Sequence, residues 1–393
     1  MTKLGLVFLT LSLLLCPQAF ADSIDAFVAK VKNTNLEIAS QNSIISAADA
    51  KSRGITLKAP MVGVSQMRTQ EEGVAYAFEI QQEVPLSSRL SSDKKSREHS
   101  FELQRKESEY FTTDKVLQAR LAFVSYWKDH EKINYLTEVR DWLKNHLRYA
   151  RSVVRSDASS NIYALEIESY LGVLENDLSS VNSDLEAEKA KLKELSFDEN
   201  YDPGLPVIDD PNPLPEGSST SRISSISLSK LKVASSMLDV AKTSYLPNLV
   251  FRARKLDRPM MFMANQEIMV GIDLPFAFFW QPRAEKAEAV ANKMIAEANY
   301  RKAEVESEAL KQSLMKRSDI LKNQIKTLKE VSIPAAQKSL KYLKNIAPRD
   351  MSGLETHRRI FQDYISLRTQ LVELRMAYEE IYSNWTLAFA KEQ

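Results

Sequence analysis

The chain has 393 residues, 44% of them hydrophobic and 27% charged, which is enough apolar material for a large folded body and too much for a disordered tail. Lysine and arginine number 53, aspartate and glutamate 52, and the two signs are interspersed, which argues against a nucleic-acid partner. The nine glycines form no dinucleotide-binding or P-loop motif, and the four histidines and the only cysteine, Cys16, are far apart in sequence. We therefore expect no enzyme, no cofactor and no metal site.

The first 21 residues have the pattern of a secretory signal peptide. Lys3 precedes a largely apolar run from Leu4 to Leu15, and Ala19-Phe20-Ala21 is a typical cleavage site. The run is shorter than the ~20 residues of a membrane-spanning helix, and no later segment is long and apolar enough to replace it. The sequence predicts export of a chain that begins at Asp22. Acylation at Cys16 is an alternative that stays open.

Residues 22–196 predict a first unit made of a short helix, a β-hairpin and a long helical hairpin. Apolar residues recur at helical spacing from Ser23 to Arg53, and a hairpin is expected at about 57–84, where the period changes and a polar turn contains Gly73. From about Ser87 a charged, heptad-like sequence continues without proline or glycine, breaks at polar residues 156–160 and resumes to Leu195.

The same order of elements follows a proline-rich linker at residues 197–220. Residues 221–393 predict a short helix, a second hairpin at about 247–275, and a second long helix from about Arg283 to Ile346 with a return helix after it. Val84-Pro85-Leu86 and Leu274-Pro275-Phe276 lie 190 residues apart at corresponding places. The sequence therefore predicts a duplicated helix-strand-strand-helix-helix plan.

The predicted strands separate apolar from polar side chains. In the clearest one, Tyr76, Phe78 and Ile80 alternate with small or polar residues, and each strand has about the 9–11 residues of a tilted outer-membrane strand. Four strands cannot close a membrane barrel, whose lower limit is about eight, so several chains would have to share one. A small soluble sheet that caps a coiled coil is the alternative.

Four short motifs in this order resemble the TolC-like outer-membrane efflux family, the exit ducts of tripartite pumps and type I secretion systems. They are Gln82-Glu83-Val84-Pro85-Leu86, Tyr245-Leu246-Pro247-Asn248-Leu249, Gly271-Ile272-Asp273-Leu274-Pro275-Phe276 and the helical step Ile333-Pro334. The resemblance covers nearly all of the chain after the signal peptide. The length and the Leu-Pro-Phe ending look most similar to the heavy-metal efflux branch.

The resemblance implies a mainly α protein with a transmembrane β portion. A homotrimer would form a shared 12-stranded outer-membrane barrel and a helical barrel through the periplasm. Its expected partners are a periplasmic adaptor, an inner-membrane transporter and outer-membrane lipid. By parity, the expected lumen-facing residues are Glu79, Gln81, Glu83, Arg252, Arg254, Glu267 and Asp273. The expected lipid-facing residues are Tyr76, Phe78, Ile80, Leu249, Phe251, Ile268, Val270 and Ile272. A periplasmic coiled-coil adaptor and a structural protein remain alternatives.

The second helical turn is the predicted periplasmic gate. Ser352, Leu354 and Glu355 match the family's turn motif, so Glu355 resembles its first gate acid. Arg358 follows at the spacing of a helical ion pair, and Asp363 is a further candidate on the same helix. An ordinary solvated ion pair is the alternative. The loop methionines Met260, Met261 and Met263 are soft potential metal ligands, for which apolar packing is the favoured interpretation.

Overall fold

The computed structural model describes residues 23–54, 57, 59–69, 73–85, 87–153, 158–208, 210–243, 246, 248–257, 266–273, 281–344 and 351–391. The predicted signal peptide, Cys16 and the methionines at 260, 261 and 263 lie outside these residues. The chain divides into two compact units. The helical unit comprises Met1–Ala39, Phe111–Ser219 and Ala309–Gln393, and the sheet unit comprises Ser40–Tyr110 and Thr220–Glu308.

The described residues are mainly helical and contain one small antiparallel sheet, as the sequence predicts. In chain order the elements are α1 (Ile24–Thr34), α2 (Leu36–Arg53), β1 (Met61–Thr69), β2 (Gly73–Pro85), α3 (Ser87–Val153), α4 (Ala158–Ser196), α5 (Arg222–Thr243), β3 (Asn248–Leu256), β4 (Gln266–Asp273), α6 (Gln281–Thr327), a π-helical turn (Leu328–Ser332), α7 (Ile333–Lys344) and α8 (Met351–Phe389). Within the described ranges, no helix contains an apolar stretch of the length needed to cross a bilayer.

The first helix is interrupted where the sequence predicts continuity. Asn35 has an extended backbone, with φ −70° and ψ 117°, and separates α1 from α2. Its side-chain oxygen accepts hydrogen bonds from the backbone N–H groups of Glu37 (2.9 Å) and Ile38 (3.2 Å), and its amide donates to the carbonyl of Leu195 (3.0 Å). A buried asparagine thus supplies the N-cap of α2 and ties the break to the end of α4.

The second long helix is also irregular at one place. The π-helical turn Leu328–Ser332 lies between α6 and α7 and ends two residues before Pro334. Proline has no N–H to donate, and its ring crowds the carbonyl four residues earlier, here that of Glu330. The wider turn accommodates this clash, so the proline distorts the helix without ending it.

The two hairpins form one sheet in the order β1-β2-β3-β4, with every neighbouring pair antiparallel. Across the middle of the sheet, Val62 pairs with Ile80, Ile80 with Ala253, and Ala253 with Ile268. Asp257 extends the junction between β2 and β3, because its backbone N–H donates to the carbonyl of Tyr76 and its carboxylate accepts from the Tyr76 N–H, both at 3.0 Å.

The core of the helical unit contains a buried ion-pair network. The Glu379 carboxylate on α8 is fully buried and accepts from Arg120 Nε of α3 at 2.9 Å. Arg375, one turn earlier on α8, approaches its other oxygen to 3.0 Å. Arg120 also lies over the Tyr382 ring, 4.6 Å from its centroid. The Glu379 carboxylate therefore lies between two nearly buried guanidinium groups and joins α3 to α8, and Arg120 Nη1 also donates to Asp25 of α1 at 3.4 Å.

The proline-rich linker is irregular, as expected, but it packs on the helical unit. The Tyr378 hydroxyl donates to the carbonyl of Asn212 at 2.6 Å, and the Trp385 indole N–H donates to the carbonyl of Pro215 at 2.9 Å. Gly217 lies against the same indole, and a Cβ at this position would be only 2.7 Å from Cζ2 of Trp385. The linker therefore requires a glycine where it crosses Trp385.

Candidate functional site

The sheet has one exposed apolar face. Register places on it the eight residues that the sequence analysis expected to face lipid, Tyr76, Phe78, Ile80, Leu249, Phe251, Ile268, Val270 and Ile272, and all of these except Leu249 are exposed large side chains. Val62 and Val64 of β1 join them because they pair with Ile80 and Phe78. Sequence analysis did not assign these two valines, because Pro60 and Gly63 blur the alternation of β1. That this face meets lipid stays a prediction.

The opposite face carries a ladder of polar contacts. Arg252 Nη2 donates to Gln81 Oε1 at 3.2 Å, and its Nε lies 3.7 Å from Glu79 Oε2. Arg254 forms a hydrogen-bonded ion pair with Glu267 of β4. The Ser65 hydroxyl of β1 lies 3.4 Å from Glu79 Oε1, so the ladder crosses all four strands. We call these six residues the polar ladder.

The two remaining expected lumen residues lie at one end of the sheet. Glu83 pairs with Val250 in the register and is half-buried. Asp273 pairs with Asn248, and its side chain lies outside the described part. Paired charges on one face and exposed aliphatic groups on the other are suited to a wall between water and lipid. The lumenal role of the polar face is not tested by these contacts and stays a prediction.

The gate candidates lie at the start of α8, in the helical unit. Arg358 Nη1 is 3.9 Å from Glu166 Oε2 of α4, and both side chains are about half exposed. Asp363 is exposed, whereas its neighbour Tyr364 is 2% exposed and donates to Glu138 of α3 at 3.4 Å. Glu355 belongs to α8, but its side chain lies outside the described part. The described partner of Arg358 is therefore on another helix, and Tyr364 is a core residue.

Next to these residues, aromatic and imidazole rings stack between three helices. Trp142 of α3 stacks on Phe361 of α8 at 4.1 Å and on His146, one turn later, at 4.7 Å between ring centroids. His146 lies 5.4 Å from His357 of α8, and Tyr163 of α4 meets it edge-on at 5.9 Å. We call these five residues the histidine cluster. Sequence analysis missed it because the two histidines are 211 positions apart, and only the packing of two helical hairpins brings them together.

Burial changes the protonation of the histidine cluster. It lowers the pKa of His146 to about 4, with a smaller contribution from the neighbouring His357, and it lowers the pKa of His357 as well. Burial also raises the pKa of the Tyr163 hydroxyl to about 12. The cluster is therefore neutral at pH 7. A cavity of about 290 Å³ beside it is lined by Trp142, Tyr163, Phe361, Glu166 and Arg358, among others.

The described residues contain no group of three or more histidine, cysteine, aspartate or glutamate side chains arranged to hold a metal ion. Two of the strand methionines, Met61 and Met269, lie on the same face of the sheet as the polar ladder by register. Neither makes a described contact that would mark a metal site.

Comparison with known proteins gives structural relatives only. No protein-family model matches the chain, and no curated protein is similar to it in sequence. Among solved structures, the outer membrane protein VceC of Vibrio cholerae has a TM-score of 0.77 at 10% identity, covering 94% of this chain and 97% of its own. The CmeC outer membrane channel of Campylobacter jejuni has a TM-score of 0.75 at 13% identity, over 93% and 84% of the two chains.

The MtrE outer membrane channel of Neisseria gonorrhoeae, solved in its open state, gives a TM-score of 0.71 at 13% identity, with 93% of this chain and 87% of its own covered. These likenesses extend over almost the whole described chain. The chain therefore has the fold of TolC-like outer membrane channels, which confirms, at the level of fold, the resemblance that the four motifs predict.

Proposed function

We propose that the protein is an outer-membrane channel of an efflux or secretion system and does not act as an enzyme. Three copies would each contribute four strands to one 12-stranded barrel, and the helical units would continue the conduit into the periplasm. One observation carries the proposal: the sheet has an exposed aliphatic and aromatic face backed by an ion-paired polar face. A soluble sheet would instead carry its charged residues on the face exposed to water and its apolar residues on the buried face.

The edges of the sheet support assembly from several chains. Among the described residues, β1 pairs only with β2, and β4 only with β3. An open edge inside hydrocarbon would leave backbone N–H and C=O groups without partners, at a cost of several kcal/mol for each group. Pairing β4 of one chain with β1 of the next removes both edges. The fold that the chain shares with solved outer membrane channels favours this closure.

The polar ladder is suited to an aqueous lumen with little charge selectivity. Its two arginines and two glutamates balance, so the wall presents hydrogen-bonding groups without a strong field of one sign. Such a wall would pass small molecules, metal ions or extended proteins, and none of these is singled out by the contacts. A periplasmic adaptor and an inner-membrane transporter would supply the substrate and the energy.

The gate proposal uses Glu355, Arg358 and Asp363 at the start of α8. We expect carboxylates from three chains to narrow the pore at Glu355, and the ion pair from Arg358 to Glu166 to fasten α8 to α4 near this constriction. Single-channel conductance tests both parts. Glu355→Ala should enlarge the conductance and weaken cation preference. Arg358→Ala should also enlarge the conductance, and Glu166→Ala should have the same effect as Arg358→Ala. Unchanged conductance and selectivity in all three variants would leave an ordinary surface ion pair.

The whole proposal is tested by the mass and the conductance of the purified protein. In detergent, the protein should have the mass of three chains, and after transfer to a planar bilayer it should conduct ions. A folded monomer that neither inserts nor conducts would contradict the proposal and favour an adaptor or a structural coiled coil. If the protein is a conducting trimer, mild crosslinking in native envelope membranes, followed by co-purification, would identify the adaptor and the transporter.

A further inference from the structure

The histidine cluster links the two helical hairpins of the helical unit. His146 and Trp142 belong to α3, Tyr163 to α4, and His357 and Phe361 to α8. His357 is 4% exposed, and the stack from Phe361 through Trp142 to His146 is continuous, with neighbouring centroids 4.1 and 4.7 Å apart. Any increase in the separation of α3 from α8 at this level must break the contacts of Trp142 with Phe361 and of His146 with His357.

Both imidazoles contain a buried nitrogen without a hydrogen bond in the described structure. These atoms are Nε2 of His146 and Nδ1 of His357. A neutral imidazole has one N–H donor and one nitrogen without a hydrogen, and the second nitrogen needs no hydrogen-bond acceptor. Both rings can therefore be buried in the neutral form at a moderate cost in free energy. An imidazolium has two N–H donors, and its second N–H would point into a buried place that offers no acceptor. The packing therefore admits the neutral rings and excludes the charged ones.

The charged groups around the cluster do not reverse this preference. Around the neighbouring cavity, α4 contributes Glu166 and α8 contributes Arg358, and these two are paired with each other at 3.9 Å. On the other side of Trp142, a second cavity is lined by Glu138 and Asp141 of α3 and by Lys341 of α7, with Tyr364 donating to Glu138. None of these carboxylates forms a described hydrogen bond with either imidazole.

We propose that the histidine cluster is an acid-sensitive contact that holds α8 against α3 at neutral pH and releases it when His146 and His357 become protonated. The contact itself follows from the described packing. Its consequence rests on the proposed function, because α8 carries the gate candidates Glu355 and Arg358, and loosening it would favour an open periplasmic end.

The direction of the effect follows from the burial of the rings. Because burial lowers the pKa of both histidines, the packed form binds fewer protons than the separated form. The contact is therefore complete above the ordinary histidine pKa of about 6.5 and weakens as the pH falls from there towards 4. With the pKa of His146 at about 4 in the packed form, this residue alone reduces the packing equilibrium about tenfold between pH 7.5 and pH 5.5.

The first experiment measures the two imidazoles in the wild-type trimer. Deuterium exchange at the ring C2–H, followed by mass spectrometry across a pH series, gives the pKa of each histidine separately. Values clearly below 6.5 for His146 and His357 are expected. A value at or above 6.5 for both would overturn the proposal, and this measurement needs no variant that has to fold.

The second experiment measures opening. Amide hydrogen exchange in residues 138–150 and 356–366, corrected for the intrinsic effect of pH, should show about tenfold lower protection at pH 5.5 than at pH 7.5. His146→Phe keeps the stack on Trp142 without an ionisable ring and should remove the tenfold contribution of His146, leaving only the part of the response that comes from His357. His130→Gln, on α3 but outside the cluster, should keep it. Unchanged wild-type protection, or the wild-type response in His146→Phe, would overturn the proposal.

Single-channel recording separates this inference from the proposed function. If the protein conducts, acidification from pH 7.5 to pH 5.5 should raise the open probability of wild type and raise that of His146→Phe much less, since only His357 remains to be protonated. A protein that never conducts at any pH contradicts the proposed channel, while the exchange results still decide the acid-sensitive contact. A conducting channel whose open probability does not change with pH would contradict the link between the histidine cluster and the proposed periplasmic gate.

Discussion

The assignment of the two sheet faces is tested most sharply at Ile80. This residue lies in the middle of β2 on the exposed apolar face, in a row with Val62, Ala253 and Ile268. If the face meets hydrocarbon, Ile80→Arg places a cation near the midplane, where an arginine costs about 2–4 kcal/mol per chain. In the proposed trimer, which would contain three copies, the total would be about 6–12 kcal/mol for each assembly.

Two measurements detect a loss of this size. The fraction of the chain recovered as membrane-inserted trimer should fall strongly, and the urea midpoint of the protein folded in lipid vesicles should decrease. Ser65→Arg is the matched control, because it adds the same side chain to the opposite face, where the Ser65 hydroxyl is 3.4 Å from Glu79. Gln81 is less suitable, because its amide oxygen accepts from Arg252 and a second arginine would repel that guanidinium.

The Ser65→Arg variant should assemble almost as well as wild type, since Glu79 can pair with the new cation and the ladder face is expected to be wet. Equal losses in Ile80→Arg and Ser65→Arg would refute the division into a lipid face and a lumen face. A neutral effect at Ile80 would indicate that this face is in water, as in a soluble sheet.

Two further predictions concern the helical unit and are measured by thermal or urea unfolding. Gly217→Ala should destabilise it by about 1–3 kcal/mol, because the new Cβ overlaps Trp385, whereas Gly172→Ala, on α4 with open space around it, should stabilise it by about 0.5–1 kcal/mol. Glu379→Leu should cost about 3–5 kcal/mol because it leaves two buried guanidinium groups without their shared carboxylate. Glu297→Ala, in an exposed helical pair of the sheet unit, is the control and should cost less than about 0.5 kcal/mol. The reverse order in either pair of variants would contradict the packing described here.

Regular periodicity explains which parts of the fold the sequence predicts. Three of the four strands, β2, β3 and β4, alternate with period two, and the long helices keep an apolar seam without internal glycine over most of their length. These local patterns depend only on neighbours along the chain, so they can be predicted without a structure. The breaks at Asn35 and before Pro334 are different. The side-chain amide of Asn35 donates to a carbonyl at the end of α4, 160 positions away, and the π-helical turn before Pro334 depends on how the surrounding helix continues.

The candidate sites also have a part that the sequence predicts and a part that only the structure shows. Parity along a strand assigns Glu79, Arg252 and Glu267 to one face. Only the side-chain contacts show that Arg252 pairs with Gln81 and Glu79, while Arg254 pairs with Glu267. At the start of α8, sequence spacing pairs Arg358 with Glu355, whereas the described contact pairs it with Glu166 of a neighbouring helix.

Contacts between hairpins have no signature in one sequence, because they are set by the axial offset of one helix against another. The offset that brings His357 to His146 also places two unpartnered imidazole nitrogens beside the helix that carries the gate candidates. A shift of one helical turn, about 5.4 Å, would separate the two rings and expose them to water. The protonation of these residues therefore reports the offset between α3 and α8.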